Sequence, residues 1–324
     1  MSLHVHPSSD DASAAAADCL VDGSGCAIGL DVGGTKIAGG LLSVSDGQIL
    51  ARRLQPTGAE RGGRAVLNDV FQLASELAAE CAGRNRVVRA VGLGVCELVD
   101  REGRQLSANR IAWMDLPVRE ELSKIAPTVL EADVRAAALA ESVFGAGQPF
   151  REFLYVTVGT GISCCLMMDG APHLGARGLS GTMGSSPLAI PCERCGHMSR
   201  RSLEDLAAGP ALVERFRAEG GSAEQGQDVL RAAAEGDRRA EQIVQTAGEA
   251  LESQIALLVN TLDPEAVVVG GGLGLSTGPF WEHFIAATRR NIWSDAHRDL
   301  PILRASTGTD AGWIGAALHA WRAL

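Results

Sequence analysis

Aromatic residues are scarce in this chain, with one tyrosine and 4% aromatics over 324 residues. Long apolar runs are missing as well: none approaches the roughly 18 to 20 residues of a membrane span. The N-terminus has no positively charged start followed by an apolar segment, so no export signal is read and a cytoplasmic protein is expected. No dense lysine or arginine cluster interrupts a formal net charge of -10, which disfavours nucleic acid as a partner. Eight cysteines in a chain this long are no disulfide framework. Cys26, Cys81, Cys164 and Cys165 sit inside apolar runs and read as small buried hydrophobes. What abounds instead is alanine and glycine, beside 46% hydrophobic and 21% charged residues. That is the mix of a tightly packed α/β enzyme, long enough for about two domains.

Two segments match each other, Ile28-Gly-Leu-Asp-Val-Gly-Gly-Thr-Lys-Ile-Ala-Gly-Gly-Leu-Leu42 and Leu154-Tyr-Val-Thr-Val-Gly-Thr-Gly-Ile-Ser-Cys-Cys-Leu-Met-Met168. Each is an apolar run broken by a small-residue turn and followed by another, the pattern of a β-hairpin. Without bulky Cβ atoms, consecutive backbone N-H groups can converge on an anion, and threonine adds a hydroxyl donor. Gly33, Gly34 and Thr35 align with Gly159, Thr160 and Gly161, and Asp31 gives the first turn a carboxylate that the second lacks. Either pattern alone also fits a plain tight hairpin. Two of them, each heading a block of alternating strands and helices, point to a duplicated phosphate clamp in a cleft between related halves.

Residues 1 to about 24 show no sustained apolar periodicity and read as a disordered tail. Apolar residues from Val66 to Cys81 recur at helical spacing, Arg89 to Val95 and Pro127 to Ala132 read as strands, and a helix runs to Phe144 before Gly145. Asp133 therefore lies at the carboxyl end of a strand and the start of a helix, where ligands meet open α/β sheets. A helix N-cap is the alternative role for an aspartate there. A long helix over Ile243 to Val259 leads into Ala266-Val-Val-Val-Gly-Gly-Gly272, whose glycines suit either close approach to a nucleotide or a simple strand-to-helix turn. A small-residue helix over 311–321 closes the chain and is expected to pack back on an earlier domain.

With these residues in hand, the chain resembles the ROK family of sugar kinases and regulators, within the actin-like ATPase superfamily. The likeness rests on Leu30-Asp-Val-Gly-Gly-Thr-Lys36, Leu130-Glu-Ala-Asp-Val-Arg135 with the helix after it, Thr157-Val-Gly-Thr-Gly161, Gly175-Ala-Arg-Gly178 and Val269-Gly-Gly-Gly272. It implies a two-domain α/β fold of the ribonuclease H-like type, each domain a mixed sheet flanked by helices, with the active site in the interdomain cleft. The expected boundaries are a tail over 1–25, an N-terminal domain over 26–144 plus about 308–324, and a C-terminal domain over 145–307. The resemblance makes Asp133 the catalytic base that accepts the proton of the attacking hydroxyl, an ordinary aspartate titrating near ~4 being sufficient. It assigns Asp31, Gly33, Gly34 and Thr35 to one phosphate turn with Asp31 reaching Mg2+, Gly159, Thr160 and Gly161 to the other, and Gly271 and Gly272 to the adenosine side. Asn109 and Glu204 match sugar-contacting positions. The implied cofactors are ATP and Mg2+, and the implied assembly is a homodimer. Lys36 fits a phosphate ligand or an exposed residue on the outgoing strand.

The acceptor end departs from the family. Its usual Glu-Asn-Asp-Ala-Asn reads Glu131-Ala132-Asp133-Val134-Arg135, its Ala-Gly-Glu-x-Gly-His reads Ser180-Gly181-Thr182-Met183-Gly184-Ser185, and Cys96-Glu97 stands where Pro-Gly is common. An unpaired buried donor or acceptor costs roughly 1 to 3 kcal/mol, so such losses should weaken the grip on glucose. A modified sugar, an amino or deoxy sugar, or a cyclitol is expected instead. Glu97 and Arg135 offer charges to read an added group, and Glu97 is taken as substrate-binding, whereas Arg135 is taken as a solvated helix residue. The family's zinc motif is reduced to Cys192, Cys195 and His197, three ligands where a closed structural site needs four, so no structural zinc is expected. A transcriptional regulator would need a helix-turn-helix, for which the roughly 25 residues before the first strand are too few, and that tail is acidic, not basic. The remaining alternative to a kinase is a catalytically silent sugar or nucleotide sensor.

Overall fold

In chain order the elements begin with β1 (Gly25–Val32), β2 (Lys36–Ser43), β3 (Ile49–Pro56), α1 (Gly63–Gly83), β4 (Val87–Val95), α2 (Val118–Leu122), β5 (Thr128–Ala132) and α3 (Asp133–Phe144). They continue through β6 (Glu152–Val158), β7 (Ile162–Met168), β8 (Ala171–Pro172), β9 (Pro187–Pro191), β10 (Met198–Ser202), α4 (Glu204–Ala207), α5 (Gly209–Ala218) and α6 (Gly226–Ala234). The chain closes with α7 (Arg238–Leu262), β11 (Ala266–Gly270), α8 (Pro279–Asn291), β12 (Ile302–Arg304) and α9 (Ala311–Arg322). This computed structural model describes residues 25–191, 195–196, 198–277 and 279–324. The tail read over 1–25 lies outside them apart from Gly25. No helix among the described residues is long and apolar enough to cross a membrane.

The first of two compact units takes residues up to Arg151, then Met167–Ser180 and Asp310–Leu324. Its sheet runs β3-β2-β1-β4-β5, with β1, β4 and β5 parallel and the β1-β2-β3 meander antiparallel. Side chains alternate across a strand, so Ile28, Leu30 and Val32 of β1 and Val91, Leu93 and Val95 of β4 face one way and join Val66, Leu67, Val70 and Leu77 of α1 in one core. The opposite face carries glycine. Gly29 of β1 pairs in register with Gly40 of β2 and with Gly92 of β4, which makes a stripe without side chains across three strands.

Helix α9 lies along this stripe with its backbone on the sheet. A Cβ on Gly29 would sit 1.8 Å from the Trp313 carbonyl oxygen, one on Gly92 1.8 Å from that of Ala316, and one on Gly40 2.5 Å from the Trp313 ring. On its other side, Gly315 meets the backbone of Ala136 in α3. The helix is therefore buried nearly all round, from Ala311 to Leu318 without a break.

The second unit takes Glu152–Leu166 and Gly181–Thr309. Strands β12, β11 and β6 are parallel, and the sheet continues through β7. Asp237 caps α7 by accepting from the Arg239 and Ala240 amides, and Ile243, Ala247, Leu251, Ile255 and Val259 place an apolar stripe against Val267 and Val269 of β11 in the unit's core.

Gly92→Ala should lower the melting temperature by several degrees, because the added methyl cannot fit beneath α9 and overpacking costs typically about 1 to 3 kcal/mol. Gly83→Ala, in open space at the end of α1, is the control and should leave the melting temperature unchanged or slightly raised. Thermal denaturation of the two variants checks this contrast.

Candidate active site

Parallel strands β1, β4 and β5 end side by side, and their last residues and the turns after them bring acidic groups together. Asp31 pairs in register with Gly94, and Val95 with Ala132, so Asp31, Cys96 and Asp133 lie along one carboxyl edge. Asp133 is the first residue of α3 and its Oδ1 accepts the Val134 N-H at 2.6 Å, while Ala132 occupies the cap position. The N-cap alternative is thus not the one realised. Burial pushes the Asp133 carboxyl up to about 7, with the neighbouring Asp31 carboxylate raising it further and the Val134 N-H and Arg135 opposing. This replaces the expected ordinary value. Asp31 is itself pushed up to about 6 by burial, against the pull of Lys36. The start of α9 closes over it, for a Cβ on Gly312 would sit 2.3 Å from its Oδ2. Burial, then Asp133, Glu97 and Asp31, hold the Cys96 thiol protonated, at about 12.

The first glycine turn is well braced. Gly33 N-H donates to the Lys36 carbonyl at 3.0 Å, closing the β1-β2 hairpin. Thr57, fully buried at the end of β3, donates its hydroxyl to the Gly33 carbonyl at 2.6 Å and its N-H to the Thr35 carbonyl at 3.0 Å. Thr35 and Lys36 remain exposed. Thr57 carries no motif signal, and only the β2-β3 register brings it to the turn.

Glu97 has a different part from the one its charge suggested. It is 4% exposed, and its two oxygens accept the Ser107 hydroxyl at 2.5 Å and the backbone N-H groups of Asn109 at 2.8 Å, Arg110 at 2.6 Å and Ile111 at 3.2 Å. Its acceptor capacity is spent on shaping the loop that exposes Asn109. Arg135 corrects the reading of a solvated helix residue: it is 3% exposed. Its guanidinium pairs with Glu131, donates from Nη1 to the Gly178 carbonyl at 2.5 Å and from Nη2 to the Val99 carbonyl at 2.9 Å. A buried guanidinium needs this much satisfaction. His319 of α9 stands 3.8 Å from Glu131 on the same network, where burial lowers its proton affinity.

In the second unit the Gly159-Thr160-Gly161 turn closes with Gly159 N-H on the Gly161 carbonyl at 2.9 Å. The Gly159 carbonyl accepts the N-H of Gly209, the first residue of α5, at 2.8 Å. Gly271, at φ 82°, lies so close to β6 that a Cβ would be 2.5 Å from the Val158 carbonyl, and one on Gly272 would be 2.8 Å from Gln227 Nε2. Gly226 packs on Gly209 in the same way. Gly159, Gly209, Gly226, Gly271 and Gly272 thus let the second turn, α5, α6 and the end of β11 pack together at backbone distance. Gly209 and Gly226 were missed because neither belongs to a glycine-rich run. Glu204 sits at this turn, its Oε1 accepting the Ile162 N-H at 2.8 Å and crowding Gly161 and Gly184. Cys192 and His197, two of the three zinc-type positions, lie outside the described residues, and Cys195 is exposed. Among the described residues no group of three His, Cys, Asp or Glu side chains can hold a metal.

Two mixed sheets flanked by helices, each with a glycine hairpin, and a recessed aspartate where a strand meets a helix define an actin-like ATPase fold of the sugar-kinase type. The chain belongs to the ROK family, whose model matches residues 27–322. It is 31% identical over 295 residues to the bifunctional enzyme NanE/NanK of Brucella suis, covering 90% of this chain and spanning about half (52%) of that longer protein. The N-acetylmannosamine kinase of Vibrio vulnificus is 30% identical over 258 residues, which is 78% of this chain and 84% of that one. The crystal structure of a ROK family glucokinase from Streptomyces griseus in complex with glucose and AMPPNP superposes with a TM-score of 0.76 at 27% identity, over 92% of this chain and 99% of that one.

Both recessed carboxyls hold their protons more tightly folded than unfolded, so the ligand-free protein should lose stability as pH rises from about 4 through about 7. Asp133→Asn removes one of them. It should raise the melting temperature at pH 8 and leave it near wild type at pH 4; equal shifts at the two pH values would contradict the assigned burial cost.

Proposed function

We propose that this protein catalyses ATP-dependent phosphorylation of a hydroxyl on a sugar or sugar-like acceptor other than plain glucose, with Asp133 as general base. The single observation that carries the reading is the recessed Asp133 carboxyl at the β5-α3 junction, pushed up to about 7 by burial, in a chain that also has two braced glycine turns. A base is most effective when its proton affinity lies near the working pH. Asp133 takes the proton of the attacking hydroxyl as the new O-P bond forms and the bond from phosphorus to the ADP oxygen breaks. Asp31 would hold Mg2+, a role suited to a half-buried carboxylate beside a phosphate turn. Gly33, Gly34 and Thr35 would bind phosphate at one turn, Gly159, Thr160 and Gly161 at the other, and Gly271 and Gly272 would lie against the adenosine. When bound, ATP supplies the phosphoryl group and Mg2+ offsets its charge.

The departure from glucose is supported by the groups near Asp133 that have no capacity left. Glu97 and Arg135 spend their charges on backbone and on Glu131, so neither is free to read an acidic or basic substituent. Ala132 and Cys96, both packed against the apolar core, leave a weakly polar step beside the base. An acceptor with fewer hydroxyls on that side, or with one acylated, matches such a surface. The likeness to an N-acetylmannosamine kinase is why N-acetylated hexosamines head the candidates, followed by deoxy sugars and cyclitols. Asn109 remains as an exposed amide for acceptor hydroxyls.

ATP consumption across hexoses, N-acetylhexosamines, deoxy sugars and cyclitols tests the reading. One acceptor class should raise turnover well above background and glucose should be poor. Asp133→Asn should lower kcat by about 10²-fold to 10⁴-fold. No acceptor-dependent turnover with any compound would favour the silent sensor, while full activity in Asp133→Asn would remove the assigned base.

A further inference from the structure

Arg110 follows the loop residue Asn109 and belongs to no motif, yet the structure brings it to the first glycine turn. Three features define its position. Its backbone N-H is fixed by Glu97 Oε1 at 2.6 Å, with the adjacent Ile111 and Trp113 buried in the core, so the loop is anchored on both sides of the side chain. Its aliphatic stem crosses the open face of Gly34: Cβ, Cγ and Cδ stand 3.7, 3.9 and 3.8 Å from where a Gly34 Cβ would be. The residue is exposed, and no carboxylate among the described residues pairs with its guanidinium. Neighbouring arginines behave otherwise, Arg104 pairing with Asp100 and Glu102, and Arg135 with Glu131.

We propose that Arg110 is a phosphate-binding residue, its guanidinium taking an oxygen of the terminal phosphate of the nucleotide held at the Gly33-Gly34-Thr35 turn. A planar guanidinium with several N-H donors matches phosphate oxygens, and charge-assisted bonds to them are among the stronger polar contacts. The turn needs such a partner. Asp31 and Asp133 give this edge of the sheet an acidic character that would repel a polyphosphate, and Lys36 stands only at the far end of the turn. The Arg110 stem thus lies at van der Waals distance from Gly34, which keeps its guanidinium end beside the turn. In phosphoryl transfer a cation at the moving group also offsets charge in the transition state.

This proposal rests on the kinase reading, and equilibrium binding separates the two. Calorimetric titration with AMPPNP and with ADP, each with Mg2+, compares wild type with Arg110→Gln and Arg110→Lys; the exposed position predicts unchanged melting temperatures. Arg110→Gln should weaken AMPPNP at least tenfold and ADP less than threefold, with Arg110→Lys between. With an acceptor, Arg110→Gln should raise the KM for ATP and lower kcat while the acceptor KM stays within about twofold. Wild-type affinities for both nucleotides retained in Arg110→Gln, or equal losses for AMPPNP and ADP, would overturn the assignment to the terminal phosphate. If the wild type itself binds neither nucleotide, the kinase reading fails first and Arg110 has no phosphate to hold.

Discussion

The first unit depends on the contact between the backbone of α9 and a sheet face stripped of side chains. Gly40, Gly29 and Gly92 lie in register on three neighbouring strands, and each would collide with α9 if it carried a Cβ. Interiors are packed at nearly crystalline density, so this closeness is bought only by the missing atoms. Its effects reach the chemistry. Because α9 sits on the sheet and not a side chain's breadth above it, Gly312 abuts the Asp31 carboxylate and His319 comes near Glu131. The recess that keeps Asp31 from full hydration is therefore a product of strand register.

Charge is distributed unevenly around that recess. Glu97 and Arg135, the two side chains whose charges look most available in the sequence, are both consumed internally, one by backbone N-H groups and the other by carbonyls and a carboxylate. Asp31 and Asp133 keep their protons longer because burial disfavours their charged forms, and for Asp133 because Asp31 lies close by. Glu97, satisfied by backbone N-H groups, shapes a loop, while Asp31 and Asp133 stay recessed at the edge of the sheet.

Much of the scaffold was legible because its signals are local. The hairpins show as small residues between apolar runs, α1 and α7 as apolar residues at helical spacing, and the β5-α3 junction as an apolar run ending at Asp133. The actin-like fold and ROK family membership followed from several such segments in order. What was not legible depends on partners far apart in the chain. Arg135 finds Gly178 43 residues away and Val99 36 away, and Thr57 reaches Gly33 across the β2-β3 pairing. The glycine stripe is invisible until register is known, since Gly29, Gly40 and Gly92 are unremarkable singly. The segment 167–180 joins the first unit although its sequence neighbours on both sides lie in the second. Arg101 and Arg135 hold it there through the Gly175 and Gly178 carbonyls.

The place of α9 in the chain has a consequence for how the protein is made. The strands that receive it emerge from the ribosome before the helix, with the whole second unit between them. Until α9 is made the glycine face stays uncovered, and Asp31 lacks the wall that Gly312 supplies. Domains generally fold as units while the chain grows, but this one is held open until residues 311–322 exist. The acidic recess is therefore completed only after the second unit has been made.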